Sequence, residues 1–111
     1  MKTIKKLLIA NRGEIALRIM RTAHEMGIRT VAVYENEDRN ALYVQEANES
    51  YFLPHGFLDQ DTLIGICSAA QVDAIHPGYG FLSENSAFVR RVEQAGLIFV
   101  GPPASAMDRM G

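Results

Sequence analysis

The chain has 111 residues, of which 48% are hydrophobic and 22% charged. That length suits one domain with a true core, and the composition excludes a disordered, collagen-like or low-complexity chain. Lys and Arg number 11 against 13 Asp and Glu, a formal net charge of −2, so no basic excess is present to hold a nucleic-acid backbone. The single cysteine, Cys67, excludes an internal disulfide and a cysteine-rich zinc site, and it agrees with a reducing compartment. Lys2, Lys5 and Lys6 precede an apolar run, but Leu7-Leu8-Ile9-Ala10 is too short for the core of a signal peptide. No apolar window reaches membrane-spanning length. The expectation is a soluble, cytoplasmic protein with neither nucleic acid nor membrane as partner.

Short apolar runs alternate with segments of helical period along the chain. Lys6 to Ala10 reads as a buried strand, followed by a turn at Asn11-Arg12-Gly13. Ile15, Ala16, Ile19, Met20, Ala23 and Met26 then recur at helical spacing. Asn11 with Glu14 has the pattern of a capping box, and Gly27 is a natural stop. Thr30 to Tyr34 is a strand rich in β-branched residues, and Asp38 can cap a short helix over Ala41 to Ala47. Ser50 to Leu53 reads as a third strand, and Asp59 or Asp61 can start the next helix. Val72 to Ile75 is a short strand that runs into His76-Pro77-Gly78-Tyr79-Gly80. Ser83 can cap a helix ending at Gly96, Leu97 to Val100 is a fifth strand, and Ala104 to Met110 begins one more helix. Strand and helix alternate throughout with short connections, which predicts an α/β fold: an open parallel sheet of about five strands with helices on both faces. The expected order places the first strand at the centre.

In such sheets ligands sit beyond the carboxyl ends of the strands, where the strand order reverses. With strands 1 and 4 adjacent, the Asn11–Glu14 turn and the His76–Glu84 loop face one crevice. The first turn has a single glycine, Gly13, and lacks the G-x-G-x-x-G series with which a backbone approaches a pyrophosphate; there is no Walker A loop either. The second loop is more unusual. Pro77 fixes one φ angle, and Gly78 and Gly80 open conformations closed to other residues, so the loop can hold His76 and Tyr79 in a defined pose. A tight surface connection would have the same composition. Cys67 lies on an apolar helix face and reads as core, and His24 and His55 have no metal-ligand spacing. Arg18, Arg21 and Glu25 share one side of the first helix, away from its apolar stripe, as a solvated face or an oligomer contact. No nucleophile–base pair or carboxylate pair stands out.

Two stretches together, Leu8-Ile9-Ala10-Asn11-Arg12-Gly13-Glu14-Ile15-Ala16 and Ala74-Ile75-His76-Pro77-Gly78-Tyr79-Gly80-Phe81-Leu82-Ser83-Glu84-Asn85, resemble the N-terminal domain of biotin carboxylase. Thr30 to Tyr34 and the ending Phe99-Val100-Gly101-Pro102 fit as well, so the resemblance covers nearly the whole chain in order. It implies a Rossmann-like domain over residues 1–111 that precedes an ATP-grasp domain and a C-terminal domain, both absent from this chain. It also implies a parent ligase that carboxylates biotin on a carrier protein with ATP, Mg²⁺ and bicarbonate. The family's ATP-contacting lysines, metal-binding glutamates and catalytic groups would lie beyond residue 111. This chain alone would then hold no catalytic residue, metal or cofactor, and would be inactive.

By the same resemblance, Tyr79 and Gly80 contact the biotin ring, and His76 and Glu84 support their loop. Arg18, Arg21 and Glu25 match positions in the homodimer interface of the stand-alone bacterial subunit. The implied partners are the remaining domains, a biotin carboxyl carrier protein and a carboxyltransferase component. The ending Gly101-Pro102-Pro103-Ala104-Ser105-Ala106 leans toward an acyl-CoA carboxylase, hence fatty acid metabolism, over a pyruvate carboxylase. Two features depart from the family pattern: a shortened stretch from Glu49 to Phe57, and Asn48 where aspartate is common. Two other readings remain at this point, a free-standing Rossmann-like module that binds a nucleotide and a module that dimerises through its first helix.

Overall fold

The computed structural model describes residues 3–78, Leu82 and residues 85–101. Among the described residues, five strands and four α-helices alternate: β1 (Lys6–Ile9), α1 (Gly13–Glu25), β2 (Arg29–Tyr34), α2 (Leu42–Glu46), β3 (Glu49–Phe52), α3 (Gln60–Ala70), β4 (Ala74–His76), α4 (Ser86–Gln94) and β5 (Ile98–Phe99). All strand pairs are parallel, in the order β3-β2-β1-β4-β5. The expected central position of the first strand is met, and the order of connection reverses at it. The architecture is Rossmann-like, a parallel sheet with helices on both faces. Among the described residues no helix is long and apolar enough to cross a membrane.

Period-two alternation divides the core into two layers. Leu7, Ile9, Ala32 and Ala74 face α1 and α2, where they meet Ala16, Met20 and Tyr43. Leu8, Val31, Val33 and Ile75 face α3 and α4, where they meet Leu63, Cys67, Phe88 and Val92. Cys67 is buried among these groups, and its desolvation pushes the thiol up to about 12. Thr30 is buried and polar. Its hydroxyl lies 2.8 Å from His24 Nε2, and its N–H donates to Asn48 Oδ1 at 2.8 Å. Asn48 thus ties the start of β2 to the α2–β3 connection, at the bottom of the sheet and away from the crevice.

The helix starts depart from the sequence expectations in informative ways. Arg12 is the N-cap of α1, with no side-chain cap bond, so the Asn11–Glu14 capping box does not form. Asp38 does not cap α2, which begins after Ala41 without a side-chain cap. Both polar side chains are taken by longer-range partners. Of the two candidates for α3, Asp59 is the cap, accepting from the Thr62 N–H at 3.2 Å. Asn85, two residues later than the expected Ser83, caps α4 through the Phe88 N–H at 3.1 Å. Ser83 and the helix expected from Ala104 lie outside the described residues. Leu8→Ala, at a fully buried central position, should lower the unfolding free energy by roughly 2–5 kcal/mol, and Asp59→Ala by about 1 kcal/mol. Urea unfolding followed by circular dichroism checks both.

Candidate functional site

The reversal at β1 makes the site. α1 leaves β1 toward β2, whereas α4 follows the adjacent β4 toward β5. Their preceding loops therefore diverge and leave a crevice at the carboxyl ends of the strands. Ile9 pairs with His76, and the Ala10 N–H donates to the His76 carbonyl at 2.9 Å. The Asn11 turn and the His76 loop are thus brought together, as the expected strand order requires.

Two consecutive residues of that turn reach in opposite directions. Arg12 meets Asp38 from the loop after β2, with Nε–Oδ2 at 2.6 Å and Nη2–Oδ1 at 2.7 Å, a bidentate pair. The Tyr43 hydroxyl donates to Asp38 Oδ2 at 3.2 Å and lies 3.3 Å from the Val33 carbonyl oxygen. Arg12 holds the Asp38 carboxyl below its ordinary range, chiefly through the hydrogen bond, and burial raises the Tyr43 phenol. Asn11 turns the other way and donates from Nδ2 to the Pro77 carbonyl at 2.7 Å, while its Oδ1 accepts from the Arg12 N–H at 2.8 Å. The Gly78 N–H donates to His76 Nδ1 at 3.0 Å. Burial lowers the His76 pKa, which favours the neutral ring that this acceptor role needs. Gly78 has φ +67°, and a Cβ there would sit 2.7 Å from Asn11 Nδ2 and 3.0 Å from Ile15 Cγ2.

The sequence-predicted site residues are only partly brought together. His76 sits at the end of β4 in the crevice, whereas Tyr79, Gly80 and Glu84 lie outside the described residues. Arg18, Arg21 and Glu25 are all exposed on α1; Arg18 lines one groove together with His76 and Gly78, whereas Arg21 and Glu25 do not line it. Arg18 Nε lies 3.7 Å from Glu14 Oε1, and Arg21 Nη2 lies 3.4 Å from Glu46 Oε1 on α2. An apolar groove of about 490 Å³ runs beside α1, lined by Ile4, Leu7, Ile15, Ile19, Met26 and Val100, with His76 and Gly78 also on its wall. Sequence reasoning missed the Asn11 bridge, the Arg12–Asp38–Tyr43 cluster and this groove. A polar residue directly after a buried strand and an acid just past the neighbouring strand were the available signals. Among the described residues no group of three or more His, Cys, Asp or Glu could hold a metal.

The Arg12–Asp38 pair has a pH signature. Because the folded Asp38 value is depressed, its contribution to stability is complete above the unfolded value near ~3.9 and drains away as pH falls through the folded one. Asp38→Asn should therefore cost about 1 kcal/mol at pH 7 and much less at pH 3. Urea melts of both proteins at the two pH values test this, and an equal cost at both would refute it.

The family model for the biotin carboxylase N-terminal domain matches residues 3–107. The pyruvate carboxylase of Staphylococcus aureus is 50% identical over 117 residues, which covers 100% of this chain and 10% of that protein. The mitochondrial methylcrotonoyl-CoA carboxylase subunit alpha of Dictyostelium discoideum is 50% identical, across 99% of this chain and 16% of that one. The biotin carboxylase domain of Hydrogenobacter thermophilus 2-oxoglutarate carboxylase, a dimer solved with MgADP, ADP and bicarbonate, superposes with a TM-score of 0.95 at 39% identity. That match covers 100% of this chain and 25% of the solved one. The chain thus spans a quarter or less of each of these relatives. Family model, sequence identity and fold agree: this chain belongs to the biotin carboxylase N-terminal domain family.

Proposed function

We propose that this chain serves as the N-terminal part of the biotin carboxylase component of a biotin-dependent carboxylase. The observation that carries the reading is the family match over residues 3–107, joined to the crevice that seats the Asn11 turn against the His76 loop. In the parent, ATP with Mg²⁺ activates bicarbonate and the carboxyl group is passed to biotin on its carrier protein. The relative solved with MgADP and bicarbonate supports that assignment of nucleotide and substrate. On this reading ATP is held by an ATP-grasp domain of the parent.

The role of this chain is to bind and orient. Tyr79 and Gly80 contact the biotin ring: the tyrosine offers an apolar face, and the glycine allows close backbone approach. His76 supports the loop through the Gly78 N–H, and Glu84 supports it from the far end. Arg18, Arg21 and Glu25 form part of a homodimer contact, a reading supported by their shared exposed face and by the dimeric relative. A carboxyltransferase component selects the carbon acceptor. The pyruvate and methylcrotonoyl-CoA relatives are equally identical, so the leaning toward an acyl-CoA acceptor rests on the Gly101–Ala106 ending alone.

The test is bicarbonate-dependent ATP cleavage and carboxylation of free biotin by the full-length enzyme, with the 111-residue chain assayed beside it. The full-length enzyme should turn over and the chain should not. Tyr79→Ala in the full-length enzyme should raise the KM for biotin about tenfold and leave the KM for ATP in place. Biotin-dependent ATP cleavage by the chain alone, or a Tyr79→Ala enzyme with unchanged biotin kinetics, would overturn the assignment.

A further inference from the structure

The Pro77–Gly78 peptide group is held at both poles by side chains. Its carbonyl accepts from Asn11 Nδ2 at 2.7 Å, and its N–H donates to His76 Nδ1 at 3.0 Å. The two holders are distant in sequence: Asn11 lies in the turn after β1, and His76 ends β4. A peptide plane has two soft torsions beside it, so fixing both its poles fixes ψ of Pro77 and φ of Gly78 together. Gly78 takes the left-handed φ of +67°, and rotation of this peptide would abolish that turn.

The carboxamide orientation is forced. The Arg12 N–H can only donate and the Pro77 carbonyl can only accept, so Oδ1 must face the first and Nδ2 the second. Aspartate is nearly the same shape but would set a carboxylate oxygen against the Pro77 carbonyl. Alanine would remove both bonds. Packing closes the remaining freedom, because Asn11 Nδ2 and Ile15 Cγ2 fill the space that a Cβ on residue 78 would need.

We propose that Asn11 is a positioning residue for the loop after β4: with His76 it clamps the Pro77–Gly78 peptide and so sets the path by which the chain enters Tyr79. The inference deepens the assignment of Tyr79 and Gly80 to biotin and rests on it for its catalytic consequence. Asn11 acts through the loop, so its removal should move substrate affinity at one site and leave the other alone.

The experiment has two arms. In the 111-residue chain, Asn11→Asp and the uncharged Asn11→Ala are compared with the parent by amide hydrogen exchange and by the ¹⁵N shifts of the His76 ring. Exchange at Gly78 should rise about tenfold in both variants while amides of β1 and β2 keep their protection. In the full-length enzyme the same substitutions should raise the KM for biotin about tenfold with the KM for ATP unmoved. Asn11→Gln, which keeps the donor, should recover part of the loss. Unchanged Gly78 exchange in both variants overturns the clamp. So does a parallel rise in both KM values with lost protection across the sheet, which would mark general loosening. Faster Gly78 exchange with normal biotin kinetics upholds the clamp and removes biotin as the ligand of the loop.

Discussion

Everything at the upper end of the sheet depends on the pairing of β1 with partners on both sides. A central strand that is hydrogen-bonded to β2 on one flank and β4 on the other must release its chain where the neighbouring connections part. The crevice follows from that topology before any particular side chain is considered. The Leu8 and Ile9 side chains then fix the register, because a slip by one residue would exchange the two faces and expose both layers of the core.

Side chains decide what the crevice becomes. Asn11 and Arg12 are adjacent, yet one is committed to the β4 side and the other to the β2 side. The Arg12 guanidinium is satisfied internally by Asp38, which leaves the β2 side occupied by the protein's own charges. Most dinucleotide sites of this topology keep that region bare with glycines so that phosphate can approach the helix start. Here it is filled. That occupied region suits the proposed role, in which this chain binds and orients rather than holding phosphate.

The layered sheet was legible because its signal is redundant. β-branched runs, helical spacing and short glycine-punctuated connections all point to one parallel order, and strand positions came within two residues of those observed. The caps were less legible. Asn11 and Asp38 have the chemistry of helix caps, and local pattern alone gives no hint that Pro77 and Arg12 compete for them across 66 and 26 residues of chain. Asp59 and Asn85 do cap their helices, as their type suggests. The site was legible in part for the same reason. The composition of the His76 loop announced a constrained backbone, but the partner imposing the constraint came from a distant strand. The groove beside α1 was invisible because no motif marks its lining. Most of its residues are ordinary apolar types, interspersed with Arg18, Thr22 and His76.

Cys67 gives the fold an internal clock. Its thiol is buried between α3 and the sheet, and burial keeps it protonated far above neutral pH. A thiol-reactive probe needs both access and a thiolate, and the native packing denies the two together. Only an opening that lifts α3 from the sheet supplies them. The rate at which a small alkylating reagent marks this single residue therefore counts excursions of the α3 layer, in plain buffer and without any denaturant.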